Sequence, residues 1–174
     1  MQVLERVRQT EFLGRDFLTW LWFKSETNNG RFDLEELGTA EVWFDGRVTL
    51  QSESDQDPEI ITCIGANSRL SEARFALTKN KKVTQALVKL IMGDHEWTFA
   101  LDSLWMNFKS LKSPKVLLDK EDDPDGLFYE KAFLMEQPIR AIDMIFASFI
   151  RLRTSPEWDA EELPALISWI NEVR

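Results

Sequence analysis

The densest run of apolar positions is Phe12-Leu13-Gly14-Arg15-Asp16-Phe17-Leu18-Thr19-Trp20-Leu21-Trp22-Phe23. Leu13, Phe17, Trp20 and Leu21 recur at helical spacing and share one face. Phe12, Leu18, Trp22 and Phe23 widen that face until little of the helix stays polar, which is the pattern of a buried helix. Arg15 and Asp16 interrupt the run, and it falls short of the about 20 apolar residues that a bilayer span needs. The spacing predicts a central core helix over 7–26. A later start near Arg15 is the alternative, because a glycine such as Gly14 costs roughly 1 kcal/mol inside a helix. Asn28-Asn29-Gly30 supplies a left-handed stop, and 32–38 reads as a linker.

The period then changes from helical to two. Val42 and Phe44 alternate with Glu41 and Trp43, and Val48 and Leu50 alternate with Arg47 and Thr49. Asp45-Gly46 between them is the preferred two-residue turn, so a hairpin is predicted over 40–50. An acidic polar loop over 52–57 and a third strand over 59–64 follow. Asn67 or Ser68 is placed to cap a helix reaching Lys79. Lys81-Lys82 opens a long strand, with Val83, Gln85, Leu87 and Lys89 on one face and Thr84, Ala86, Val88 and Leu90 on the other. Gly93-Asp94 turns it into 96–101, where Trp97, Phe99 and Leu101 face the core.

Residues 104–116 fit either a strand or a short helix. Beyond a polar loop at 119–126 the apolar stretch 127–153 is helical. Proline breaks a helix interior, so Pro138 predicts two helices, 127–136 and 138–153. Ile139, Ile142, Ile145, Phe146, Phe149 and Ile150 form the core face of the second. Ser155-Pro156 opens a last helix over 157–173. The pattern as a whole predicts one α+β domain over 1–174. An antiparallel sheet of about five strands packs against the buried N-terminal helix and the C-terminal helices.

Composition makes that core aromatic, with seven Trp and twelve Phe against one Tyr. A single cysteine, Cys63, excludes an internal disulfide and a cysteine zinc site and suits a reduced compartment. Met1 to Thr10 contains no apolar run, so the expectation is a soluble cytoplasmic protein with no signal peptide and no membrane partner.

Charge changes the picture more. The net charge is −9, yet residues 69–116 carry nine basic and four acidic groups, while 25–68 carry two and ten. This basic middle has two readings: a mixed solvated surface, or a polyanion-binding strip on an acidic body. The strip would consist of Lys79, Lys81 and Lys82 at a helix-to-strand junction, with Lys109, Lys112 and Lys115 beyond the next hairpin. The turn at Gly93-Asp94 predicts that both clusters meet at one end of the sheet. Lysine meets phosphate as a point charge and reads no base, so the binding would be weak, sequence-neutral and salt-dependent.

Catalytic chemistry is not indicated. His95 is the single histidine and sits beside a turn without a visible nucleophile or orienting partner. Cys63 lies in an apolar strand. There is no glycine-rich phosphate loop, paired-histidine helix or nucleophile elbow. Glu121, Asp123, Asp125 and Gly126 loosely follow a calcium loop, but Ala132 stands where the bidentate glutamate belongs. The expectation is a non-enzyme with no metal and no cofactor.

Several stretches resemble the C-terminal half of the recombination-associated RdgC family. They are Phe17-Leu18-Thr19-Trp20, Asp45-Gly46-Arg47-Val48-Thr49-Leu50, and Ser71-Glu72 through Asn80-Lys81-Lys82-Val83-Thr84-Gln85-Ala86-Leu87-Val88-Lys89-Leu90. Trp97-Thr98-Phe99-Ala100-Leu101 and Ala141-Ile142-Asp143-Met144-Ile145-Phe146 extend the likeness, which is closest to a divergent branch. The resemblance implies sequence-independent binding of double-stranded DNA, a homodimeric ring around it and modulation of a recombinase. The chain departs from the family in its strongly negative charge and in lacking the N-terminal half, which a separate protein partner would supply. Two functions are therefore expected: a non-enzymatic DNA-binding accessory of recombination, or an acidic protein-interaction module within a larger complex.

Overall fold

The computed structural model describes residues 2–52, 58–65, 71–116 and 123–172, with the backbone alone for 2–12 and Ser71. Helix α1 (Gln2–Thr27) runs unbroken through Gly14. Phe17, Leu18, Trp20, Leu21, Trp22 and Phe23 are each at most 5% exposed, so the apolar run is the core helix its spacing predicts. Asn29 and Gly30, both left-handed, end it.

Six strands form one antiparallel sheet. β1 (Arg31–Leu34), β2 (Gly38–Ser52), β4 (Lys81–Met92), β5 (His95–Asp102) and β6 (Phe108–Lys112) lie side by side in that order, and β3 (Ile60–Ile64) pairs with the second half of β2. The hairpin expected at Asp45-Gly46 does not form. β2 continues through it, and β4 pairs with both halves: Phe44 lies opposite Val88 and Val48 opposite Ala86. The residues between make a bulge, and Gly46 takes the left-handed conformation there (φ +72°). A left-handed glycine serves a bulge as well as a turn. The bulge keeps Val42, Phe44, Val48 and Leu50 on one face, each at most 3% exposed.

A second irregularity corrects the alternation expected along β4. Thr49 pairs with Gln85 but Leu50 pairs with Val83, so Thr84 is skipped. Val83 thereby joins Ala86, Val88, Leu90 and Met92 on the buried face. Trp97, Phe99 and Leu101 of β5 are at most 1% exposed, as their spacing predicts. The ambiguous stretch 104–116 resolves into strand β6.

Helix α2 (Ser71–Thr78) precedes β4, and its expected caps, Asn67 and Ser68, lie outside the described residues. Helix α3 (Pro124–Arg153) is continuous where two helices were expected. Pro138 has no N–H for the carbonyl of Leu134, four residues back, and that carbonyl instead accepts the indole N–H of Trp97 at 2.7 Å. An outside donor thus satisfies the group the proline orphans, which removes part of the cost of an interior proline. After α3, a π-helical turn (Trp158–Glu162) leads into α4 (Leu163–Asn171), with Pro164 at its start.

The helices pack on the face of the sheet that carries Val42, Val88 and Phe99, and α1 lies closest to β4. Phe17, Trp20 and Phe149 stack against one another at 5.2–6.2 Å. Trp22 lies parallel to Phe44 and edge-on to Trp169. Polar ends of these rings find partners: Trp20 Nε1 donates to Glu162, and Trp22 and Trp169 both donate to Glu26, at 2.7–2.9 Å. Tryptophan supplies large apolar area together with one donor that must be met.

Candidate functional site

The six lysines singled out in the sequence fall into two groups. Lys79, Lys81 and Lys82 stand at the head of β4. Lys109 and Lys112 lie on β6 opposite Ala100 and Thr98 of β5, and Lys115 follows beyond it. Ser110 is left-handed and the ladder shifts beside it, so both β6 lysines point to the side of the sheet away from the helices. The two groups do not meet. Asp102 lies opposite Gln85, near the head of β4, but β6 then turns back along β5. Lys112 ends level with Thr98, which pairs with Lys89. Lys89 is eight residues from Lys81 along β4, about 26 Å at about 3.3 Å per residue, and β6 lies two strand spacings further across.

Three of the six charges are also matched by carboxylates. The Lys81 side chain is 7% exposed and its ammonium lies 2.5 Å from Glu59. Lys82 faces Asp16 at 3.6 Å, and Lys109 faces Asp102 at 2.9 Å. Lys79 lies over the Phe75 ring. Lys112 and Lys115 are exposed with no ion pair among the described residues. Burial pushes the Asp102 carboxyl up. Hydrogen bonds from Lys109 and from the backbone N–H groups of Trp105 and Leu104 outweigh it and hold that carboxyl below the usual range.

Around the first group the structure adds a cation from far away in the chain. A cavity of about 380 Å³ lies between α1, the head of β4, the end of α3 and α4. Lys81, Lys82 and Arg153 line it with Asp16 and Asp159, and its walls are Trp158 and apolar residues of α4. The Arg153 guanidinium stands 4.7 Å over the Trp158 ring. Sequence alone offers no signal for Arg153, which reads as the ordinary cation of a helix C-terminus.

A second feature lies on the first half of α3. Phe128, Tyr129, Phe133, Met135 and Ile139 are 42–71% exposed, Ile139 against its expected place on the core face, while Leu134, Gln137, Pro138 and Ala141 of the same helix are buried. The sequence did carry this signal: over 127–139 the apolar residues occupy more than one helical face.

His95 is exposed and its ring lies 5.7 Å from Trp97. Burial, and then the Glu72 carboxylate, push the Cys63 thiol up, away from a reactive thiolate. Among the described residues no group of three or more His, Cys, Asp or Glu could hold a metal ion. Residues 117–122, which include most of the acidic loop weighed for calcium, lie outside the described residues. Asp123 caps α3 through the N–H of Asp125. No helix among the described residues is long and apolar enough to cross a membrane.

No protein-family model matches this chain, and no curated protein matches it. The likeness to RdgC rests on the sequence motifs themselves.

Proposed function

We propose that this protein is a non-catalytic protein-interaction module, and that the first half of α3 is its docking surface. The observation that supports this is the exposure of Phe128, Tyr129, Phe133, Met135 and Ile139 on one helix. At about 200 Å² per large side chain, these five expose on the order of 500 Å² of apolar surface. That is toward the upper end for a monomer and is commonly functional. It also matches one partner's share of a small specific interface.

Charge selects the occupant. Asp125, Glu136 and Asp143 are exposed on the same side of α3 as the apolar residues, since steps of seven and eleven return to nearly the same angle. Of the two cations in this stretch, Lys131 lies toward the edge of that face by helical spacing, and Arg140 is bound to Glu36 at 2.5 Å. A second copy of this chain would bring like carboxylates together across a two-fold axis. A basic amphipathic helix from another protein would lay its apolar face on α3 and its cations beside those acids. The DNA-binding reading loses support from the separation and pairing of the lysines.

The test is titration of the protein into a labelled 18-residue helical peptide of leucine and lysine, read by fluorescence anisotropy, beside the same peptide with glutamate for lysine. The lysine peptide binds at least tenfold more tightly, and a Phe128→Ser/Phe133→Ser variant loses that binding. Equal binding by wild type and variant overturns the proposal. So does a wild-type dimer in sedimentation that the variant abolishes, since the second copy would then cover the face.

A further inference from the structure

We infer that the cavity beneath α4 is a binding site for a small amphipathic anion, a carboxylate or a phosphate ester on a short apolar body. This inference is independent of the α3 surface. Three cations converge on the cavity from two parts of the chain, Lys81 and Lys82 at the head of β4 and Arg153 at the end of α3. Each is held in a way that favours an added acceptor. Arg153 Nε is buried without a hydrogen-bond partner among the described residues, and an unmet buried donor is destabilising until an acceptor reaches it. Stacking on Trp158 fixes the guanidinium plane, which presents the remaining donors in a set direction. The Lys81 side chain is almost fully buried, yet its partner Glu59 is 72% exposed, so that pair is half in water and weakly held. The 3.6 Å between Lys82 and Asp16 exceeds hydrogen-bond length, leaving Lys82 free to turn to a ligand.

The lining limits the ligand's charge. Three cations stand against Asp16 and Asp159 in the lining, and Glu59 pairs with Lys81 from outside it, so a ligand that displaces Glu59 meets a positive surplus of one, too small for a nucleoside triphosphate or a nucleic-acid backbone. The walls set its body. Leu163, Leu166, Ile167 and Ile170 recur along α4 at three- and four-residue steps and all line the cavity, with Trp158 and Leu77 beside them. Ile167 is 49% exposed, an apolar side chain that a ligand would cover. A volume of about 380 Å³ falls at the small end of ligand pockets, which combine mostly apolar walls with a few placed polar groups.

Isothermal titration of the full chain with octanoate, octyl phosphate, octanol and inorganic phosphate tests this. Octanoate or octyl phosphate, or both, bind at least tenfold more tightly than octanol and than inorganic phosphate, and whichever binds more tightly names the head group. Arg153→Gln weakens the binding at least tenfold, and Arg153→Lys restores part of it. Ile167→Glu, at a half-exposed position that tolerates a charge, abolishes it while the far-ultraviolet dichroism stays unchanged. Octanol binding as tightly as octanoate, no binding of either anion at millimolar concentration, or binding indifferent to Ile167→Glu would each overturn the inference.

Discussion

A methyl group added to Gly14 would stand 1.8 Å from the carbonyl oxygen of Ser103, which is backbone and cannot swing aside. Ser103 is itself held, donating its N–H to Thr84 at 2.9 Å. The glycine therefore costs helix propensity in α1 and in return lets the helix touch the turn after β5. Its intrinsic cost, roughly 1 kcal/mol, is smaller than the cost of separating the two backbones. Gly14→Ala would destabilise the fold by about 1–3 kcal/mol, as overpacking does, although alanine is the better helix former. Chemical denaturation checks this, and a stabilised variant would show that the contact yields easily. From sequence, Gly14 suggests a weak point or a late helix start. Its partner Ser103 is almost ninety residues away, and no local pattern announces a close approach over that distance.

The elements show which signals carry across scales. Helical and two-residue periods found α1, β5 and their buried faces, because burial imposes those periods directly. Two signals based on a single residue misled. Asp45-Gly46 marks a left-handed glycine, but whether that glycine closes a turn or forms a bulge depends on β4, which pairs with both halves of β2. Pro138 marks a missing N–H, but whether the helix breaks there depends on Trp97, which supplies another donor to Leu134. That dependence is measurable as a coupling. Trp97→Phe leaves the Leu134 carbonyl buried and unpaired, a loss of about 1–3 kcal/mol. In a Pro138→Ala background the alanine N–H can serve the same carbonyl, so Trp97→Phe there would cost less. A double-mutant cycle by urea denaturation should give a coupling on the order of 1 kcal/mol. Additivity would mean that the indole bond contributes nothing to keeping α3 whole.

At the scale of the molecule, function was less legible than fold, and the reason lies in the lysines. Net charge along the sequence shows a basic middle between acidic segments, but an electrostatic surface depends on which charges end up adjacent. Folding sets Glu59 against Lys81, Asp16 against Lys82 and Asp102 against Lys109. β6 then carries Lys112 back along β5, away from the head of β4. Each paired lysine that met a phosphate would have to release a carboxylate first, and that carboxylate would repel the same phosphate. Lys79, Lys112 and Lys115 are the exposed members of the set with no such pair among the described residues. At about 0.9 per phosphate contact, three free lysines give a log–log salt slope of roughly 3 at most for duplex DNA. Replacing Lys81 and Lys82 by glutamine would therefore leave whatever slope exists unchanged, and replacing Lys79, Lys112 and Lys115 would remove it. Duplex titrations from low to moderate salt on the wild type and both variants decide this. A wild-type slope of about 4 or more that falls on neutralising Lys81 and Lys82 would show that the paired lysines at the head of β4 contact the backbone. The DNA-binding reading would then stand ahead of the α3 docking surface.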